Sequence, residues 1–241
     1  MSNRRRPSYT IQDNGQPWAA IDEYVFSNLH PHSRPNNSAL TQTLEASKQG
    51  GLPPIFSSRI FGKFLALQCR LAQAKHALEV GTLGGYSAVW LATQNPGLRV
   101  STIEYDAHHA EVARKNIEEA GVSDRVTVYV GVGVEVLPQL FAKIEEGSLE
   151  RIGFTFIDAD KINNYTYFDW AVKMSRSGAC IIVDNMLARG QLLNSEARGD
   201  GHVQGARKLI EEAGKDDRVE SLVMQMVGER GYDGFFMAVV L

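Results

Sequence analysis

Residues 78–87 read Leu78-Glu79-Val80-Gly81-Thr82-Leu83-Gly84-Gly85-Tyr86-Ser87. A short apolar run breaks into glycines and a helical pattern follows, which is the strand–loop–helix punctuation of a parallel α/β unit. The unit recurs downstream. Strands are predicted over 77–81, 100–104, 126–130, 154–158 and 180–184, and helices over 87–94, 107–120, 134–145 and 165–174. The strands are continuous apolar runs rather than alternating ones, as expected where helices cover both faces of a sheet. This alternation predicts a doubly wound sheet with right-handed crossovers. A last helix over 203–213 precedes two strand-like runs, 221–227 and 235–241, separated only by residues 228–234. That gap is too short for a helical crossover, so the final pair is expected to run antiparallel. The expected fold is α/β: a doubly wound, mostly parallel, seven-stranded sheet closed by an antiparallel terminal hairpin.

Upstream, residues 17–52 are polar and helix-tolerant, and Pro31, Pro35, Asn36 and Asn37 break them in two. Pro53-Pro54 then precede an apolar-periodic helix over 59–74. Residues 1–52 therefore read as an N-terminal helical extension or lid, and 53–241 as the main domain.

The 241 residues suffice for one large α/β domain, and 44% hydrophobic with 22% charged residues is the balance of a globular protein. Lys plus Arg number 25 against 28 Asp plus Glu, so nothing in the charge favours nucleic acid or an anionic membrane as partner. Cys69 and Cys180 fall in apolar stretches and read as reduced, buried thiols, which fits a cytoplasmic setting. Arg4, Arg5 and Arg6 carry no apolar run behind them, which argues against secretion and leaves a mitochondrial presequence as a second reading.

In a doubly wound sheet, ligands sit at the carboxyl ends of the strands. Glycines in the first loop let the backbone turn tightly and approach a ligand. A nicotinamide fingerprint needs glycines at its first, third and sixth positions; counted from Gly81, the latter two hold Leu83 and Tyr86, so that register fails. The second strand ends at Glu104, where a carboxylate can accept two ribose hydroxyls. The plainer reading is that Glu104 and Asp106 cap the next helix. Together, loop and acid favour a nucleoside cofactor.

The fourth strand runs into Asp158-Ala159-Asp160-Lys161 and the fifth into Asp184-Asn185. Parallel strands open on one edge, so Asp158, Asp184 and Asn185 can converge as hard oxygen ligands for Mg²⁺ or a similar cation such as Mn²⁺ or Ca²⁺. Lys161 beside such a charge, partly desolvated, is suited to act as a base. Taken singly, each aspartate reads as a cap or turn residue; taken as an ordered set, they read as a site. Histidines offer no zinc alternative: His108-His109 are adjacent, and His30, His32, His76 and His202 read as surface or loop residues. Trp18, Trp90 and Trp170 read as packing anchors.

The ordered set resembles the cation-dependent O-methyltransferases, the family of caffeoyl-coenzyme A and catechol methyltransferases with bacterial and fungal small-molecule members. The resemblance covers roughly residues 50–241 and rests on residues 79–87, Glu104, residues 158–161, Asp184-Asn185 and the tail Tyr232-Asp233-Gly234-Phe235. It implies a Rossmann-like class I methyltransferase using S-adenosylmethionine. Glu79, Gly81, Thr82, Gly85, Tyr86 and Ser87 would wrap its methionine part, with Ser87 near the carboxylate. Glu104 with Tyr105 would serve the ribose, and Gly131, Val132 and Gly133 would flank the adenine. Asp158, Asp184 and Asn185 match the metal ligands, Lys161 the catalytic lysine, and Asp158 is placed to touch the cofactor amino group as well. Many relatives read Asp-Lys-x-Asn-Tyr where this chain reads Lys161-Ile162-Asn163-Asn164-Tyr165, so the contacts of Asn163 and Asn164 are not carried over.

The expected reaction is methyl transfer to a hydroxyl of a small vicinal diol, catechol-like, with Lys161 taking the proton and the front segment and residues 186–201 forming a lid. The resemblance also implies a homodimer. Two rivals remain at this level: a nicotinamide-dependent oxidoreductase, and a catalytically silent S-adenosylmethionine-binding protein.

Overall fold

The structure, a computed structural model, describes residues 17–241, apart from the side chains of Pro17 and Arg198. The basic run Arg4–Arg6 and the start of the N-terminal extension lie outside the described residues.

Two helices, α1 (Pro17–Leu29) and α2 (Asn37–Gln49), precede α3 (Arg59–Leu71). The α/β alternation then runs β1 (His76–Val80), α4 (Tyr86–Gln94), β2 (Arg99–Glu104), α5 (Ala107–Glu119), β3 (Val126–Val130), α6 (Gly133–Glu145), β4 (Ile152–Ile157), α7 (Asn164–Met174) and β5 (Ser175–Val183). It closes with α8 (Gly201–Ala213), β6 (Val219–Gly228) and β7 (Gly231–Val240). The sheet order is β3-β2-β1-β4-β5-β7-β6. β1 to β5 pair parallel, and β7 runs antiparallel to both β5 and β6. The doubly wound, seven-stranded α/β sheet with its terminal hairpin is therefore present as expected.

Every residue of β1 and β4 is buried, because helices cover both faces. Leu65, Trp90, Ala113 and Phe156 pack on one face, and Leu78, Leu137, Phe168, Ile181 and Leu209 on the other. β1 alternates between the two layers: Ala77 belongs to the first, Leu78 and Val80 to the second. The order reverses between β1 and β4, which makes the carboxyl edge there the natural ligand crevice.

Three expectations need correction. The last two strands are not separated by residues 228–234: Tyr232, Asp233 and Gly234 are extended and pair with Val227, Met226 and Gln225, leaving a two-residue turn at Glu229-Arg230. The polar and glycine residues there read as loop, but an edge hairpin tolerates them because one side faces solvent. His30 and His76 are buried rather than surface residues. The His76 ring spans Glu150 O (2.8 Å) and Ser101 Oγ (2.9 Å), while His30 packs on Trp90 with centroids 5.0 Å apart. The strand ends also sit one residue earlier than expected at Gly81, Asp158 and Asp184, so each of these is the first residue beyond its strand.

Among the described residues no helix is long and apolar enough to cross a membrane. Cys69 and Cys180 are both free and buried.

Candidate active site

Because β1 to β5 are parallel, Gly81, Glu104, Gly131, Asp158 and Asp184 all arrive at one sheet edge. A cavity of about 1920 Å³ opens there. Gly81 is what lets the ends of β1 and β4 meet. Its φ is +101°, and a Cβ would lie 2.1 Å from the Asp158 carbonyl oxygen, so no side chain fits.

The Glu104 carboxylate organises the loop above Gly81. Its Oε2 accepts from the amides of Thr82 (3.2 Å) and Leu83 (2.7 Å), and its Oε1 from the amide of Asp106 (3.0 Å). An ionised carboxylate offers about four acceptor sites, so this acid is a scaffold with capacity to spare for a hydroxyl donor. Asn116 of α5 holds the loop from behind, donating to Gly84 O (2.8 Å) and to Ser47 Oγ of α2 (3.1 Å). The N-terminal extension is thereby tied to the glycine loop.

Glu79 lies fully buried beneath the same loop. Its Oε2 accepts from the Thr102 hydroxyl (2.5 Å), and its Oε1 is a buried oxygen without a hydrogen bond. Burial pushes this carboxyl up to about 7, against the opposing effect of the Ser87 and Thr102 hydroxyls.

Of the residues expected around the cofactor, Gly81, Thr82, Tyr86, Ser87, Glu104, Tyr105 and Gly131 to Gly133 line the cavity. Glu79 and Gly85 are not among its lining residues; Gly85, at φ +82°, faces Ala113 and Ile117. Tyr86 is mostly core, its ring edge-on to Trp90 and Phe56, whereas Tyr105 is 74% exposed at the lip.

Asp158, Lys161, Asp184 and Asn185 line the same cavity. Lys161 Nζ donates to Asp158 Oδ1 at 2.6 Å, with only 12% of the lysine side chain exposed. Lys161 opens a 3-10 turn (Lys161–Asn163) that Asp160 fixes by accepting from the Tyr167 hydroxyl and from Asn163 Nδ2 (2.5 Å). Asn163 therefore braces the turn, and Asn164 is buried as the first residue of α7. Asp184 is half-buried at the cavity wall, and loss of hydration there, then the neighbouring Asp158 charge, push its carboxyl well above the usual carboxylate range. Two carboxylates thus share a corner with one ammonium, and the charge the corner lacks is positive. Among the described residues no three His, Cys, Asp or Glu side chains cluster. The corner offers two carboxylates and an amide instead, an oxygen set suited to a hard divalent cation rather than to zinc.

Three residues around this corner were given no site role from the sequence. His202, read there as a loop residue, lines the cavity, and its Nε2 lies 2.9 Å from the Asn185 carbonyl oxygen. Asp233 accepts at Oδ1 from the amide of Leu187 (3.0 Å) and at Oδ2 from that of Arg189 (3.1 Å), pinning the chain after Asn185 to the terminal hairpin. Gly205 packs directly on the Lys161 backbone. A glycine inside a strongly periodic helix is a sequence signal for such close approach; Asp233 was marked by the tail motif without a role, and His202 carried no comparable signal.

A family profile described as O-methyltransferase matches residues 30–239, which extends the resemblance back from residue 50 to take in α2. An O-methyltransferase of Aspergillus flavus is 52% identical over 224 residues, covering 92% of this chain and 91% of that protein. A catechol O-methyltransferase of Niastella koreensis is 39% identical over 228 residues, covering 94% and 99%. The crystal structure of an O-methyltransferase from Bacillus cereus in complex with SAH superposes with a TM-score of 0.85 at 43% identity, covering 93% of this chain and 98% of that one.

Proposed function

The chain belongs to the O-methyltransferase family and is an S-adenosylmethionine-dependent enzyme, and from that premise we propose that it methylates one hydroxyl of a small vicinal, catechol-like diol with the help of a divalent cation. The observation that carries this reading is the meeting of Asp158, Lys161, Asp184 and Asn185 in the cavity that the glycine loop and Glu104 also line. A nicotinamide oxidoreductase would have no use for that corner, and a silent binding protein would have no reason to keep it.

Asp158, Asp184 and Asn185 would hold the cation, and Glu104, Thr82, Ser87 and residues 131–133 the cofactor. A bound divalent cation supplies Lewis acidity, lowering the pKa of hydroxyls held beside it. Lys161, held beside Asp158, must first give up its own proton to solvent, which a cation bound beside it would favour, and as the neutral amine it takes the proton from the reacting hydroxyl. The oxygen then attacks the sulfonium methyl carbon in line, the O–C bond forming as the C–S bond breaks, with S-adenosylhomocysteine leaving. The chain's main contribution is alignment, which can be worth about 7–11 kcal/mol. Apolar walls support an aromatic acceptor: Phe56, Phe61 and Met226 line the cavity, and the Arg230 guanidinium lies 4.5 Å over the Phe56 ring.

The described part of the 1–52 extension serves in this reading as a helical lid on a 53–241 transfer domain, since Leu44, Lys48 and Leu52 reach the cavity wall. A homodimer is supported by apolar residues left exposed on α1 and the edge strand β6, including Tyr24, Leu29, Leu222 and Met224. A cytoplasmic setting is supported by the two free thiols.

The test is mass-spectrometric detection of methyl transfer from S-adenosylmethionine to a panel of aromatic vicinal diols and their mono-hydroxyl analogues. The reading expects product from diols at least tenfold faster than from the analogues. Equal rates on both would remove the diol from the account.

A further inference from the structure

We propose that His202 is a positioning residue for the cation corner, acting through the backbone of Asn185. The inference rests on reading Asp158, Asp184 and Asn185 as oxygen ligands.

Asn185 adopts φ +60°, a left-handed conformation that asparagine tolerates better than most residues with a side chain. Its amide is engaged, donating to Asp184 Oδ1 at 2.8 Å. Its carbonyl takes a long bond from the Ala188 amide (3.3 Å) and a shorter one from His202, whose Nε2 sits 2.9 Å from that oxygen. A carbonyl only accepts, so Nε2 carries the hydrogen. Losing this donor would leave the carbonyl to the Ala188 amide alone and let the peptide tilt about its Met186 N–H, which stays bonded to Gly234 O (2.8 Å), changing the direction in which the carboxamide is offered to a cation.

His202 is itself held in place. It is the second residue of α8, and its amide donates to Asp200 Oδ1 at 2.8 Å in the N-cap. One turn on, Gly205 lies against the Lys161 carbonyl, and Arg207 donates to Leu192 O (2.9 Å) and Asn194 O (2.8 Å). The first two turns of α8 therefore touch the Lys161 turn, Asn185 and the loop that leads from Asn185 into α8. His202 is the member of this group that reaches a candidate ligand directly. Groups that orient metal ligands from behind commonly change affinity 10- to 100-fold when removed.

The experiment uses the full chain as wild type, His202→Phe, His202→Asn and His202→Gln. Mn²⁺ binding is measured by electron paramagnetic resonance, S-adenosylmethionine binding by calorimetry, and folding by thermal melt. In the two loss variants the Mn²⁺ Kd is expected to rise at least tenfold while the S-adenosylmethionine Kd stays within about threefold of wild type. Asn is too short to reach the carbonyl, so it decides the matter if the Phe variant does not fold. Gln, whose Nε2 can donate to the same oxygen, is expected to restore most of the Mn²⁺ affinity. Wild-type Mn²⁺ affinity in the loss variants overturns the proposal and leaves the ligand reading intact. Parallel loss of both affinities with a lowered melting temperature also overturns it, by reducing His202 to a packing role. A wild type that binds no Mn²⁺ overturns the ligand reading and the proposal with it.

Discussion

Gly205 on α8 lies so close to Lys161 that a Cβ there would stand 1.8 Å from the Lys161 carbonyl oxygen and 2.5 Å from its carbonyl carbon. Both contacts are with backbone, so no rotamer change relieves them. The helix axis or the lysine turn must move.

Gly205→Ala is accordingly expected to lower kcat about 100-fold, since a displacement of about 1 Å at a reacting group costs rate on that scale. The glycine loop and Glu104 lie away from this contact, so the S-adenosylmethionine Kd should stay within about threefold. Steady-state kinetics beside calorimetry checks this. An alanine variant with wild-type kcat would show that the Lys161 turn has no catalytic importance.

Glu104 bears on the other half of the cavity. In Glu104→Gln the amide nitrogen must face either the Thr82 and Leu83 amides or the Asp106 amide, setting donor against donor. With the ribose contact also weakened, the S-adenosylmethionine Kd should rise about 10- to 100-fold, equivalent to about 1–3 kcal/mol. Mn²⁺ affinity, read in the same samples, should hold. An unchanged cofactor Kd would remove Glu104 from the binding site.

Glu79 makes stability depend on pH in the unliganded protein. Its carboxyl is raised to about 7 by burial, above the ordinary 4.5. The folded state therefore keeps a proton that the unfolded state loses. This contribution is fully present below about pH 4.5 and is lost as pH rises through about 7. At pH 8 the ionised Glu79 should cost roughly 3 kcal/mol relative to acid. Glu79→Gln should match the wild type in denaturant melts near pH 5 and exceed it by up to that amount at pH 8. Parallel pH profiles for the two proteins would contradict the assignment.

Much of this architecture can be read directly from residues. The continuous apolar runs ending at Val80, Ile157 and Val183 specify buried parallel strands, and Gly81, Asp158 and Asp184 mark where each gives way to ligand-facing chain. What could not be read is how α8 and the hairpin return to that edge. The interaction of His202 with Asn185 spans 17 residues and that of Asp233 with Leu187 spans 46, and no local pattern encodes either. Tyr232 to Gly234 read as loop because propensity there is weak, and pairing with β6 overrode it. Ser47 and Asn116 likewise meet only in three dimensions, and through them the extension read as a lid is bonded to the glycine loop.

The central claim is that the Asp158, Asp184 and Asn185 corner works with a divalent cation in the methyl transfer itself. The most direct measurement is the initial rate of methyl transfer to the best diol of the panel, followed by mass spectrometry with Mg²⁺, with excess chelator, and with Mg²⁺ restored. The account expects the chelator to lower the rate at least 100-fold, restored Mg²⁺ to recover it, and S-adenosylmethionine binding to change little throughout. A rate that persists undiminished in chelator would contradict it, and would leave Lys161 as the one group at this corner with a part in the reaction.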